Sequence, residues 1–457
     1  MFDKVMFDIV LIKITAKPAK AITGFIVRLF QAFMLGMLTI LISACNDPVV
    51  SAYQQDMQQL QQNIAKLKAQ LGLEFSNKNN SENEAAATAD ENGKENIPPP
   101  AITQVPGHLV IKLSELYHKK AALTGRYQDY QELELLLNHM SGQLNNPLAL
   151  RYAKANFNAG MHRFEAATEQ LDTLPPQVKA STPVRALRLD ISLQLGQYQQ
   201  AEAQLQALMA DAPGWENRVR LAHYYLNTGK LSQARDLYQQ AADMLSAKQL
   251  YQYAWVNLQQ GLLELGQENY GEALTFYQTA DRAYSGYWLI EEHIAEVLAL
   301  MGEKQQAKDM YRELVSKNPN PELKLALAEL LLEQDGQTEE AGQLRNEAMA
   351  EFNLRQQLYP EAAAGHFVER LLTLEQTHPA LLSSAQLNFN ARPNADSKAL
   401  LAMSYLKLGQ EVQARQLYEQ ILATPWRSPG IEELAQVLEQ SQNESSFISP
   451  ENPLMPH

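Results

Sequence analysis

The chain has 457 residues, enough for two to four ordinary domains, and it is acidic, with a net charge of −14 and a pI near 5.2. No basic stripe offsets that charge, so the composition argues against nucleic acid as a partner. The single cysteine, Cys45, excludes an internal disulfide, and the Ala-, Leu- and Gln-rich remainder suits helices.

From Leu29 to Ala44 the chain is almost wholly apolar, with Arg28 just ahead and Lys13, Lys17 and Lys20 further upstream. This run is short for a membrane span. Its positive flank and the small residue before its end fit a signal peptide. Ile42-Ser43-Ala44-Cys45 resembles the lipobox of bacterial lipoproteins. That resemblance implies removal of residues 1–44 and acylation of Cys45 as the new N-terminus, the alternative being an uncleaved signal anchor. The stretch before Arg28 is long for such a signal, so the expected start lies nearer Val27. Asn46, rather than Asp, follows the cysteine. By resemblance to enteric lipoprotein sorting, this implies an outer-membrane lipoprotein facing the periplasm, with inner-membrane anchoring as the alternative.

Within residues 45–73, Tyr53, Met57, Leu60, Ile64, Leu67 and Leu71 alternate in steps of four and three, an a/d seam on a Gln-rich helix. Two readings stay open: a short coiled-coil-like stalk joining copies of the chain, or an amphipathic helix lying on a bilayer or on the rest of the protein. Residues 74–106 are polar and end in prolines, a composition expected to be a disordered linker.

The body, 107–440, is organised by a repeat. Ala273, Ala307 and Ala341 are spaced by thirty-four residues, and Ala167, Ala201, Ala234 and Ala414 extend the register. A glycine lies five residues before two of them (Gly302, Gly336) and seven before Ala273 (Gly266). A large side chain follows four residues later (Tyr277, Tyr311, Arg345), and Ala280, Leu314 and Ala348 follow at seven. Twelve residues ahead stands a second small residue: Ala222, Gly261, Ala295, Ala402. Two small positions at a fixed offset let two helices of one unit approach closely, which predicts an all-α solenoid of helical hairpins. About eight to nine units are expected. The first has Tyr130 in place of the alanine, one near 360–390 is degenerate, and residues 441–457 read as a disordered tail.

The stretch from Leu289 to Asn320, closing on Asn318-Pro319, resembles a tetratricopeptide repeat, and the resemblance covers roughly residues 110–440. It implies a right-handed solenoid and protein partners. It also implies that the inner face of each first helix lines a concave groove for a peptide or amphipathic helix. Counting eleven residues back from each register alanine selects Asp190, His223, Leu262, Glu296, Leu330 and Met403. Counting fifteen back selects Ala186, Val219, Leu258, Glu292, Ala326 and Ala399. Trp255, eighteen before Ala273, falls on the same side as a candidate aromatic anchor. The Lys and Asn of the family's carboxylate clamp are missing, leaving a mixed apolar and acidic lining.

Among motifs that carry chemistry, the chain has no HExxH, CxxC, Gly-rich phosphate loop or GxSxG. The nine histidines are scattered, and His223 reads as a packing or solvated residue. No enzyme, cofactor or metal is expected. The favoured reading is a lipid-anchored periplasmic scaffold holding protein partners of an envelope assembly, such as pilus, secretion or cell-wall machinery. The alternative is an inner-membrane signal-anchored chaperone or adaptor for client polypeptides. An enzyme or sugar-binding subunit of polysaccharide export rests on family analogy alone.

Overall fold

A computed structural model describes residues 50–71, 106–141, 147–336 and 338–447, the side chains of 147 and 442–447 excepted. The expected signal peptide, Cys45, the linker from 74 to 105 and the chain beyond 447 lie outside the described residues. The described chain is helical throughout, with no strand. Helix α1 (Ala52–Gln70) precedes nine consecutive hairpins. These are α2 (Gly107–Thr124) with α3 (Tyr127–Ser141), α4 (Pro147–Gly160) with α5 (Phe164–Asp172), and, after the short α6 (Pro176–Lys179), α7 (Thr182–Gln194) with α8 (Tyr198–Asp211). Next come α9 (Trp215–Leu226) with α10 (Leu231–Asp243), α11 (Leu250–Gly266) with α12 (Tyr270–Ala283), and α13 (Trp288–Leu300) with α14 (Lys304–Lys317). The last are α15 (Pro321–Asp335) with α16 (Glu339–Leu358), α17 (Pro360–Thr373) with α18 (Leu381–Ala391), and α19 (Ala395–Lys407) with α20 (Glu411–Leu422), closed by α21 (Pro429–Phe447).

The register alanines carry the hairpins. Ala167, Ala201, Ala234, Ala273, Ala307, Ala341 and Ala414 are all 0 % exposed, as are Ala222, Ala295 and Ala402 on the facing helices. At these places the helices touch, and only a small side chain fits. Gly261 shows how tight the contact is, since a Cβ there would stand 2.2 Å from the ring of Tyr277. The turn is equally regular. The residue five before each alanine has a positive φ, and it is a glycine at 196, 229, 302, 336 and 409 but His162 and Glu268 in the other two. Glu268 therefore does in α11–α12 what glycine does elsewhere, and Gly266 lies inside the helix. The degenerate unit still makes a hairpin, in which Phe367, Val368 and Leu371 pack on Leu381 and Ala385.

Two departures concern the ends. The a/d seam of α1 does not await a second chain, for Leu60, Ile64 and Leu71 are buried against α2, α3 and α11–α12 of the same chain. Polar contacts fix the dock: Tyr53 N–H donates to Ser285 O (3.2 Å), the Tyr53 hydroxyl to Leu123 O (3.1 Å), and Asp56 pairs with Lys119 at 2.6 Å. An amphipathic helix buries its apolar stripe on the nearest apolar face, and here the array supplies it. Of the two readings open for this helix, the dock matches the one in which it lies on the rest of the protein. At the other end, α21 runs on to Phe447 instead of fraying near 440, because no proline or glycine interrupts the chain between Gly430 and Pro450.

The array coils back on itself. In the first seam, α2 and the turn after it meet α13, α15 and α16: Trp288 Nε1 donates to Leu123 O (2.8 Å), and the Arg355 guanidinium lies 5.0 Å from the Tyr127 ring centre. Beyond it, the Tyr359 hydroxyl donates to Glu134 at 3.0 Å, a contact 225 residues apart in sequence. In the second seam, α7–α9 meet the segment from Arg392 to Arg427. The Tyr198 hydroxyl accepts from Ala395 N–H (2.8 Å, 197 residues apart), the Trp426 ring stacks on Tyr198 at 4.9 Å, and Arg427 N–H donates to Asn227 O at 2.6 Å. Contacts recurring near 200 residues correspond to about six repeat lengths per superhelical turn.

Candidate functional site

The expected groove residues fall into several separate environments. Asp190 makes a two-pronged ion pair with Arg220 (Nε–Oδ1 2.9 Å, Nη2–Oδ2 3.0 Å), which satisfies both charges. Val219 is buried beside Ala234 and Tyr238. His223 faces Trp426 across the second seam at 6.0 Å, and burial holds its imidazole down at about 4, so it stays neutral. Met403 packs in that same seam.

Trp255 and Leu258 are buried in one cluster with Leu113, Tyr117 and Leu133 of the first hairpin, and Leu262 packs against it. Leu330 is buried among Ala307, Tyr311 and Leu327. Of the remaining positions, Ala186 and Ala399 meet in the second seam, and Ala326 borders the cluster around Leu330. Of the expected groove residues, Ala186, Val219, Trp255, Leu258, Glu292, Glu296, Leu330 and Ala399 are buried, whereas Asp190, His223, Leu262, Ala326 and Met403 are partly exposed.

The residues at the seams were not singled out in the sequence. Arg355, itself buried, pairs with Glu322 at 2.8 Å. Arg392 donates to Asn388 and Gln194, and the Trp426 indole donates to Asp396 at 2.9 Å. They stand off the repeat's small and large positions, so the period carries no sign of them. The one sequence-level signal is chemical: arginine and tryptophan inside apolar hairpins need partners.

Glu292 and Glu296 belong to a further environment, with a histidine between them. One turn of α13 puts Glu292, His293 and Glu296 on a single buried face. His293 Nδ1 lies 3.0 Å from Glu296 Oε2 and 3.4 Å from Glu292 Oε2, and these three ligand atoms lie within 4.8 Å of one another. The ring of Tyr277 from α12 is stacked on the imidazole at 5.2 Å, and Tyr311 of α14 is hydrogen-bonded to Glu292. Burial pushes the Glu292 carboxyl up to about 7, against the opposing pull of His293. Burial alone would lower His293, but the two carboxylates raise it.

Leu135 (68 %) and Val412 (67 %) are the most exposed large apolar side chains among the described residues. No described helix is long and apolar enough to cross a membrane.

Comparison with known proteins agrees with this architecture. A family model described as tetratricopeptide repeat matches residues 293–321 and 400–424. Among curated proteins none matches the chain in sequence. Among solved structures, the APC/C hetero-tetramer Cut9–Hcn1 is similar at 17 % identity and TM-score 0.37, over 73 % of this chain and 66 % of that one. PilF of Pseudomonas aeruginosa is similar at 19 % identity and TM-score 0.30, over 56 % of this chain and 96 % of that one. A tetratricopeptide repeat protein of Parabacteroides merdae is similar at 15 % identity and TM-score 0.33, over 65 % and 99 %. The buried alanine register, the left-handed turns and the two matched stretches together support a helical solenoid built of tetratricopeptide-type repeats, a fold that implies binding to other proteins.

Proposed function

We propose that the protein is a lipid-anchored periplasmic scaffold that holds protein partners of an envelope assembly of the pilus, secretion or cell-wall type. The observation that carries this reading is a sequence one: Ile42-Ser43-Ala44-Cys45 follows an apolar run and stands ahead of a polar, proline-ending stretch and then the array. An acylated Cys45 followed by a linker lets a solenoid reach away from a membrane surface. With Val219, Trp255, Leu258 and Leu330 buried within the chain, partner contact falls to exposed surfaces of the hairpins, where Leu135 on α3 and Val412 on α20 offer apolar side chains.

The test is the intact mass of protein extracted from membranes, before and after Cys45→Ser. A form starting at Cys45 with added acyl mass, lost in the variant, is the expected result. A full-length uncleaved chain instead leaves an inner-membrane signal-anchored adaptor as the reading. Photo-crosslinkers at 135 and 412 should then capture envelope proteins while one at 255 does not. Capture only at 255 would mean that partners displace the first hairpin and enter the inner face.

A further inference from the structure

We propose that Glu292, His293 and Glu296 bind a divalent transition-metal ion, zinc by preference, which pins α13 between α12 and α14. Nothing in this depends on the envelope role.

Two carboxylates and an imidazole are buried together, at 3 %, 6 % and 3 % exposure. Among the described residues neither carboxylate has an Arg or Lys partner; His293 is the only cationic side chain paired with them. One Nδ1–H can be donated to only one acceptor, and it goes to Glu296 Oε2. Glu292 Oε2, equally buried, is left with no hydrogen bond. A second unpartnered polar atom belongs to the same packing layer. The Tyr277 hydroxyl is 0 % exposed and unpartnered, on a ring stacked face to face with His293 and close enough to feel both carboxylates. Buried polar atoms left without partners mark a place where a further partner fits.

The geometry names that partner. Bonds of about 2.0 Å in a tetrahedral zinc site set ligand atoms roughly 3.3 Å apart. The two measured separations from His293 Nδ1, 3.0 and 3.4 Å, bracket that edge. One neutral imidazole and two carboxylates also neutralise a doubly charged ion, which a low-dielectric site requires. A nitrogen and two oxygens leave a fourth position free for water or a tyrosine hydroxyl, and Tyr277 and Tyr311 close over the face. The sequence pattern Glu-His-x-x-Glu places all three ligands within one helical turn.

The experiment uses the full chain, stripped with chelator and then titrated with Co²⁺ followed by Zn²⁺. The expected result is one equivalent of Co²⁺ with visible absorption bands of a four-coordinate site, displaced by Zn²⁺, and a thermal midpoint raised by about 5 °C. Glu292→Gln and His293→Gln should each weaken binding at least tenfold, whereas Glu313→Gln, exposed on α14, should leave it unchanged. Should a Gln variant fail to fold, the wild-type stoichiometry and a competition with a chromophoric chelator decide alone. Binding of less than one tenth of an equivalent, or no gain in thermal midpoint, overturns the proposal and leaves the three groups sharing a proton only.

Discussion

Inside the hairpins and across the seams, this molecule is held together by two different chemistries. Within hairpins the close approach of the two helices rests on fully buried alanines and, at Gly261, on a tyrosine ring over glycine. Across the seams apolar packing, such as Leu113 with Trp255 and Leu258, is joined by aromatic and hydrogen-bonded contacts: Arg355 over Tyr127, Tyr359 with Glu134, Trp426 stacked on Tyr198. The same turn geometry shows the contrast. Gly302 and Gly409 have a positive φ and open space around them. Gly125 and Gly196 have the same φ, but a Cβ on either would strike the other turn, at 2.8 Å from Asn320 Nδ2 and 2.9 Å from Pro393 O. A repeat needs only to match its neighbour. A seam has to match a surface some 200 residues away, and directional bonds define that match better than apolar area does.

If that division is right, breaking a seam should change shape and breaking a hairpin should change helix content. The largest effect is expected from Trp426→Ala, which removes a buried indole, its stack and its bond to Asp396. We expect a loss of about 4 kcal/mol in urea unfolding and a larger radius of gyration by X-ray scattering, with the circular dichroism nearly unchanged. Gly261→Val should cost about 3 kcal/mol by forcing Tyr277 out of place. Here the helical signal should fall with stability, and an unchanged signal would count against the distinction.

Arg355→Ala strips Glu322 of its partner and leaves a partly buried carboxylate at the first seam, which should cost about 2 kcal/mol. Hydrogen exchange should rise in α2 and α15 and stay put in α9. Tyr53→Phe, which removes only the bond to Leu123 O, should cost about 1 kcal/mol and raise exchange in α1 alone.

The pH dependence is the smallest effect near neutrality. His223 titrates at about 4 in the fold against an ordinary 6.5. Below 6.5 the unfolded chain takes up a proton that the folded chain refuses, so stability falls between about 6.5 and 4 and is flat above. His223→Gln should flatten that slope, and an identical slope in the variant would show that other groups set it.

How much of this was legible beforehand differs by region. The hairpins were, because Ala273, Ala307 and Ala341 repeat a steric requirement at every unit and the period exposes it. The degenerate unit near 360–390 was legible as a unit but not in detail, since its small residue, Ala385, sits out of register. The groove was legible only as a face. The positions fall on the first helices of their hairpins, Leu258, Leu330 and Val219 among them buried, and no offset from an alanine reports what lies opposite. The repeat offsets select Glu292 and Glu296 and skip His293, which gathers them, because a His–Glu pair three residues apart is common on any helix.

The sequence by itself determined the secondary structure, the hairpin, the closeness of its two helices and the seam of α1, since each is a local requirement met within a few dozen residues. Tertiary structure alone decided where α1 docks, that successive turns touch, and that three groups on α13 face one another out of water. Those outcomes depend on the pitch of the coil, which sums a small rotation at every interface over the whole array, so no single unit encodes it.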